Sequence, residues 1–383
     1  VHIYATTHSY HPVLRSRQMR MCSLILALSF LTTSTSIAAE LEWIQVSPDG
    51  KSFVTAKSQK KFVPWGFNYD HDRGGLLLED YWNTDWKAIE EDFAEMKQLG
   101  ANVVRIHLQF GKFMSTTDQP RTAALKKLGE LLKLAKDTGL YLNLTGLGCY
   151  HKQDVPAWYD RLSDAERWQA QANFWEAVSR QCANSPAIFC YDLMNEPVVH
   201  GGKKKGTDWL GPGFAGKHFV QRITLEPDER PRPEIAAAWI KTLVEAIRKQ
   251  DQRHLITVGL VPWSLERRGL QSGFVPEKIG KHLDFISVHI YPVKGKVDAA
   301  LETLKGFDIG KPLVIEETFP LKSSPKEFEE FLLKSKQHAD GWIGFYWGKT
   351  IDENKAGKTI GDAITAVWLE FFLKNGKQFK AQP

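Results

Sequence analysis

Eight short runs of β-branched, aromatic and aliphatic residues recur along the chain with helical patterns between them. They are Val63–Tyr69, Asn102–Leu108, Leu140–Leu147, Ala187–Met194, His254–Leu260, Asp284–Ile290, Lys311–Ile315 and Trp342–Trp347. Strands that alternate with helices pair in parallel, because each helix carries the chain back to the start of the next strand. Eight such units are the number that closes a ring, so the pattern predicts an α/β fold of the (β/α)8 barrel type. The helices are marked as plainly as the strands. Trp86, Ile89, Phe93 and Met96 follow the 3.6-residue period and stop at Gly100. Ser163 and Glu166 form a capping-box signal ahead of Trp168, Ala172, Trp175 and Val178. Ser324-Pro325-Lys326-Glu327 repeats that signal with proline at the first helical position, and Ile235, Trp239, Leu243 and Ile247 step by four.

Two segments interrupt the repeat. Between the fourth and fifth runs an insertion from about Val198 to Pro233 carries Gly201-Gly202-Lys203-Lys204-Lys205-Gly206 and the aromatics Trp209, Phe214 and Phe219. Residues 41–60, with a Pro48-Asp49-Gly50 turn, predict a small hairpin ahead of the barrel. Residues 40–383 therefore form one expected domain. Residues 1–39 are expected to be an upstream extension plus a secretory signal starting at Met19 or Met21. Its apolar stretch, Ser23 to Leu31, is about half the length that spans a bilayer, and small residues follow it. Cleavage after Ala38 or Ala39 fits equally, and the mature chain is expected to be secreted or periplasmic and not inserted in a membrane.

Those 39 residues hold three of the 50 basic residues and no acid, so the rest of the chain is nearly neutral. A near-neutral body argues against nucleic acid as a partner, and a monomer is expected. Hydrophobic residues at 43% and charged residues at 25% exclude a disordered chain. Beyond Cys22 in the signal, Cys149, Cys182 and Cys190 leave room for one disulfide with one thiol over.

In a barrel of this kind the reactive side chains come from the C-terminal ends of the strands. Those ends are Asn68, Arg105, Thr145, Asn195-Glu196, Trp263, His289 with Tyr291, Glu316-Glu317 and Trp347. Two apolar runs lead straight into carboxylates, Tyr191-Asp192-Leu193-Met194-Asn195-Glu196 and Leu313-Val314-Ile315-Glu316-Glu317. An acid leaving a core strand is costly unless it is paired or used. Two acids from separate strands facing each other at the mouth are what glycosidic cleavage needs: one protonates the leaving oxygen, the other attacks or activates water. Tryptophans at the rim offer flat faces to pyranose rings, and Trp65, Trp209, Trp263 and Trp347 are the candidates.

From about Phe62 to Gly348 the sequence resembles glycoside hydrolase family 5, whose members are retaining (β/α)8 glycosidases. Asn195-Glu196-Pro197 matches the motif ending the fourth strand, His289-x-Tyr291 the one after the sixth, and Glu317 the acid ending the seventh. Arg105 and Trp347 match the arginine of strand two and the tryptophan of strand eight. The resemblance implies Glu196 as acid/base and Glu317 as nucleophile, with Arg105 and Tyr291 orienting the Glu317 carboxylate. It also implies Asn195 on the sugar 2-hydroxyl and His289 beside it, with Asn68, Trp65 and Trp263 in support and no cofactor or metal. The implied substrate is a β-1,4-linked glucan or mannan, polymer or oligosaccharide.

Two departures from the family stand out. Leu144-Thr145-Gly146-Leu147 lacks a histidine often found there, so that role is absent or moves to His107 or His151, and the insertion after Pro197 is long. Because successive strand residues point to opposite faces, Glu316 is expected to turn away from Glu317 and pair elsewhere. Asp192 is expected to act as a hydrogen-bond acceptor behind the site. Asp70-His71-Asp72 is expected to be a sugar-contacting or solvated loop, since adjacent residues seldom converge on one ion. Competing readings are an exo-acting glycosidase or transglycosylase, a metal hydrolase using His107, His151 and His289, and a carbohydrate-binding barrel without catalysis.

Overall fold

The barrel closes because every strand carries two different faces. In the computed structural model, residues 40–381 are described, apart from 70–75, 203–204, 206–207, 215, 268 and 346. The strands are β1 (Trp65–Tyr69), β2 (Val103–Gln109), β3 (Tyr141–Gly148), β4 (Ile188–Asn195), β5 (Leu255–Leu260), β6 (Ile286–His289), β7 (Leu313–Thr318) and β8 (Gly341–Gly344). All neighbours are parallel, and β8 pairs with β1 through Trp342 and Trp65, which closes the ring. Side chains alternate along each strand. On β1, Trp65 and Phe67 turn outward onto a helix, while Asn68 turns inward.

Helices cover the outside: α1 (Trp86–Gln98), α2 (Thr122–Thr138), α3 (Asp164–Cys182), α4 (Arg232–Arg248), the one-turn α5 (Pro276–Ile279), α6 (Val297–Lys305), α7 (Pro325–Ser335) and α8 (Ile360–Lys380). The capping boxes read at Ser163 and Ser324 open α3 and α7. No helix among the described residues is long and apolar enough to cross a membrane. The residues assigned to the signal, 1–39, lie outside those described.

Residues 41–62 make three antiparallel strands, Ile44–Val46, Phe53–Thr55 and Lys61–Phe62, where a two-stranded hairpin was expected. Lys61–Phe62 pairs because Phe62 has a cluster to enter. Phe53 meets Phe189 and Phe285 edge-on at 5.2 Å, and Phe62 meets Tyr141 at 5.0 Å. With Val103, Val314 and Ile343 these rings plug the base of the barrel. The three cysteines are buried and unpaired, so the disulfide is absent.

Candidate active site

Above that apolar plug the barrel interior turns polar. Arg105, from β2, is fully buried and reaches several neighbours, His107 Nε2 at 3.3 Å among them. Its guanidinium donates to Asp192 at 2.7 Å, Glu317 at 2.5 Å, Asn68 Oδ1 at 2.8 Å and Asn195 Oδ1 at 3.0 Å. A guanidinium stays charged in any such setting and presents a fork of donors, so one residue can order several oxygens. Its Nε also lies 3.5 Å from Glu316.

Glu316 and Glu317 both face the interior, against the expectation that they diverge. Register shifts between Val288 and His289 on β6, and between Ile315 and Thr318 on β7, break the alternation there. A bulge adds one residue and re-aims the next side chain. Glu316 accepts from Asn143 Nδ2 deep in the barrel; Glu317 sits at the mouth, where Tyr291 Oη donates to its Oε2 at 2.7 Å. Burial alone would raise the Glu316 carboxyl, but Arg105 and His289 outweigh it and hold it down to about 2. Asp192 moves the other way, up to about 6, through burial and the neighbouring Glu316 charge. Its carboxylate accepts from Thr145 and from the Gly259 amide, besides Arg105, so it sits behind the site as expected.

Glu196 follows β4 with a left-handed backbone, φ 46°, which costs a non-glycine residue energy and marks a constrained position. Its amide donates to the Gly259 carbonyl at 3.1 Å. Gly259 sits close against the ring of His289: a Cβ there would stand 3.0 Å from His289 Nε2, so the histidine would have to give by a few tenths of an ångström. His289 is buried, with Nδ1 2.9 Å from Glu196 Oε1 and 3.4 Å from Glu317 Oε2. Burial would discharge the ring, yet Glu317, Glu196 and Glu316 together raise it to about 10. Its Nδ1 is thus hydrogen-bonded to Glu196, and Glu317 stands at the longer ion-pair distance. Single oxygens of Glu196 and Glu317 and a nitrogen of His289 lie within 4.8 Å of one another. Among the described residues they are the one group spaced like metal ligands.

Several expected site residues take other places. Trp65 is buried under α8, stacked on Phe372 at 4.3 Å and Phe379 at 4.7 Å, so it is core and not a sugar platform. Trp347 is buried 5.9 Å from Tyr69, and Trp209 is buried with its Nε1 donating to Asp160 at 2.7 Å. Trp263 is half-buried in the turn after β5, and it does not line the cavity. Asn195 spends Oδ1 on Arg105 and donates from Nδ2 to the Phe219 carbonyl at 3.0 Å. His107 bonds Tyr150 Oη through Nδ1 and lies 3.2 Å from Asn68 Oδ1, whereas His151 pairs with Asp154 away from both. The three histidines of the metal reading are thus not brought together.

A cavity of about 540 Å³ opens onto Glu196 and Glu317. Tyr291, Phe319, Leu321 and Phe345 line it from the barrel, and Pro212, Phe214, Lys217, Phe219 and Val220 from the insertion. The insertion is thus a wall of the site, and of its aromatics Phe214 and Phe219 line the cavity whereas Trp209 does not.

A closed (β/α)8 barrel with glutamates from its fourth and seventh strands gathered at the C-terminal mouth defines the class of barrel enzymes built on paired carboxylates. A family model described as cellulase, glycosyl hydrolase family 5, matches residues 57–350, and the chain belongs to that family. It is 22% identical over 313 residues to mannan endo-1,4-beta-mannosidase A of Hypocrea jecorina, covering 70% of this chain and 62% of that protein's length. Its fold is similar to that of an exo-beta-1,4-mannosidase from Opitutaceae bacterium strain TAV5, with a TM-score of 0.66 at 16% identity. That match covers 88% of this chain and 62% of the other. A beta-1,4-mannanase from the sea hare Aplysia kurodai gives a TM-score of 0.57 at 15% identity, covering 85% and 95%.

Proposed function

We propose that the protein is an exported retaining β-glycosidase acting on β-1,4-linked mannan and its oligosaccharides, with glucan as the second substrate to test. The observation that carries this reading is that an oxygen of Glu196 and one of Glu317 lie within 4.8 Å of each other on the lining of one cavity. Retaining enzymes hold their two carboxyl groups roughly 5–5.5 Å apart, whereas inverting ones leave room for a water at about 6.5–9.5 Å. Mannan enters from the names of the relatives.

In this reading Glu317, oriented by the Arg105 guanidinium and the Tyr291 hydroxyl, attacks the anomeric carbon. Glu196 gives its proton to the leaving oxygen as the C–O bond breaks. A water then gives its proton back to Glu196 and its oxygen to the anomeric carbon, which frees Glu317 and restores the starting configuration. His289 lies between the two side chains, bonded through Nδ1 to Glu196 and 3.4 Å from Glu317, and holds them in register. Residues 40–383 act as one catalytic domain, exported by the signal in 19–39.

Glu196→Gln should lower turnover of mannan by about 10²–10⁴-fold. It should cost far less on a dinitrophenyl glycoside, whose leaving group needs no proton. Glu317→Gln should abolish both. Turnover of mannan by Glu196→Gln at the wild-type rate would remove that residue from the mechanism, and inverted product in the NMR spectrum would exclude double displacement.

A further inference from the structure

The cavity wall beside the two glutamates is a ring of aromatic side chains. Phe214 and Phe219 lie 6.5 Å apart at 53°, Phe219 and Phe345 6.4 Å apart at 86°, and Phe345 and Tyr291 6.4 Å apart at 76°. Rings that carry a sugar chain present flat faces along a line. These are turned steeply to one another and enclose a cup. Phe214 is 64% exposed and Leu321 52%, so the rim offers large apolar groups to solvent. Apart from the two glutamates, the polar side-chain groups among the described lining residues are the Tyr291 hydroxyl, already donated to Glu317, and the Lys217 ammonium.

A sugar unit brings several hydroxyls into such a cup, and each one left unpaired there weakens binding. An alkyl or aryl group carries no such penalty and gains from every apolar surface it covers. A volume of about 540 Å³ is large enough for one sugar at the glutamates together with a group of this kind. The cup's insertion side is pinned by the bond from Asn195, the neighbour of Glu196, to the Phe219 carbonyl, and Glu196 lines the same cavity, so the cup flanks the residue that meets the leaving oxygen.

We propose that this cup is a subsite for an apolar leaving group, so that the substrates include β-glycosides of aryl or long alkyl alcohols. The occupant's identity as a leaving group rests on Glu196 as proton donor. As the anomeric carbon passes to Glu317, the Glu196 proton goes to the glycosidic oxygen and the free alcohol is released into the cup.

Calorimetric titration of the full chain with uncleavable octyl and methyl 1-thio-β-D-mannosides, and the matching glucosides, tests this directly. The octyl compound of at least one pair should bind more than tenfold tighter than the methyl compound. Phe214→Ser, at an exposed position where folding is not at stake, should cut that advantage to below threefold. Leu373→Ser, an exposed apolar residue on α8 remote from the cup, should leave it intact. Equal affinities in both pairs, an advantage untouched by Phe214→Ser, or one lost equally in Leu373→Ser would each overturn the proposal. If the advantage holds and neither mannan nor any β-glycoside is cleaved, the cup stands as a binding site and the glycosidase reading fails.

Discussion

Arg105 is the residue on which the charges of the mouth converge. Taking three carboxylates into a barrel costs several kcal/mol each unless a cation with good geometry meets them. Replacing it by a side chain of similar length, Arg105→Met, leaves Asp192, Glu316 and Glu317 without that cation. The expected loss is about 3–5 kcal/mol, read as a lower urea midpoint. His289 sets a second expectation, for pH. Its proton is held more tightly in the folded chain, so the stability it adds is complete below pH 6.5 and is lost as pH rises toward about 10. Glu316 works in the opposite sense: its share is present above pH 4.5 and is lost as pH falls toward about 2. Melting temperature against pH should therefore fall on both sides, and His289→Asn should flatten the alkaline limb more than the acid one. Glu196, Glu317, Arg105, His289 and Tyr291 were legible in the sequence because each ends or follows an apolar run in an order that only a barrel brings together. Trp65 misled because residue type says nothing about which side of a strand it occupies, and packing under α8 claimed the ring.

At the scale of the element, the departures from regularity decide what the site can do. Period-two alternation carries Glu316 inward with Val314 and would have sent Glu317 outward; the bulges on β6 and β7 turn Glu317 in as well. Strand and helix spans were readable from periodicity and caps, since those signals are local. A bulge is not, because it depends on the register of the neighbouring strand. The insertion was visible as a break in spacing, but its placement as a wall follows from pairing of Pro197–Val198 with Gln221–Arg222 that no local pattern announces. Close strand approach has its own requirement at Gly66 in β1, where an added Cβ would stand 1.8 Å from the Val103 carbonyl oxygen of β2. Gly66→Ala must push the two strands apart, and a loss of about 3 kcal/mol or more is expected by chemical denaturation. Soluble, cooperatively folding protein with wild-type stability would contradict the tight register of β1 on β2.

Across the whole molecule, stability and chemistry occupy opposite ends. The base is closed by the small sheet and the apolar cluster around Phe53, Phe189 and Phe285, while the mouth holds charges and the left-handed backbones of Leu147 and Glu196. Phe53→Ala, at a site with no exposure, should cost about 3–5 kcal/mol and lower the melting temperature. Its turnover at temperatures where the variant stays folded should remain that of the parent, since no Phe53 atom lines the cavity. That separation gives the scaffold latitude. Segments at the rim can be exchanged, lengthened or recoded without drawing on the reserve that keeps the ring shut, so new ligand preferences can arise by steps that each leave a folded protein behind.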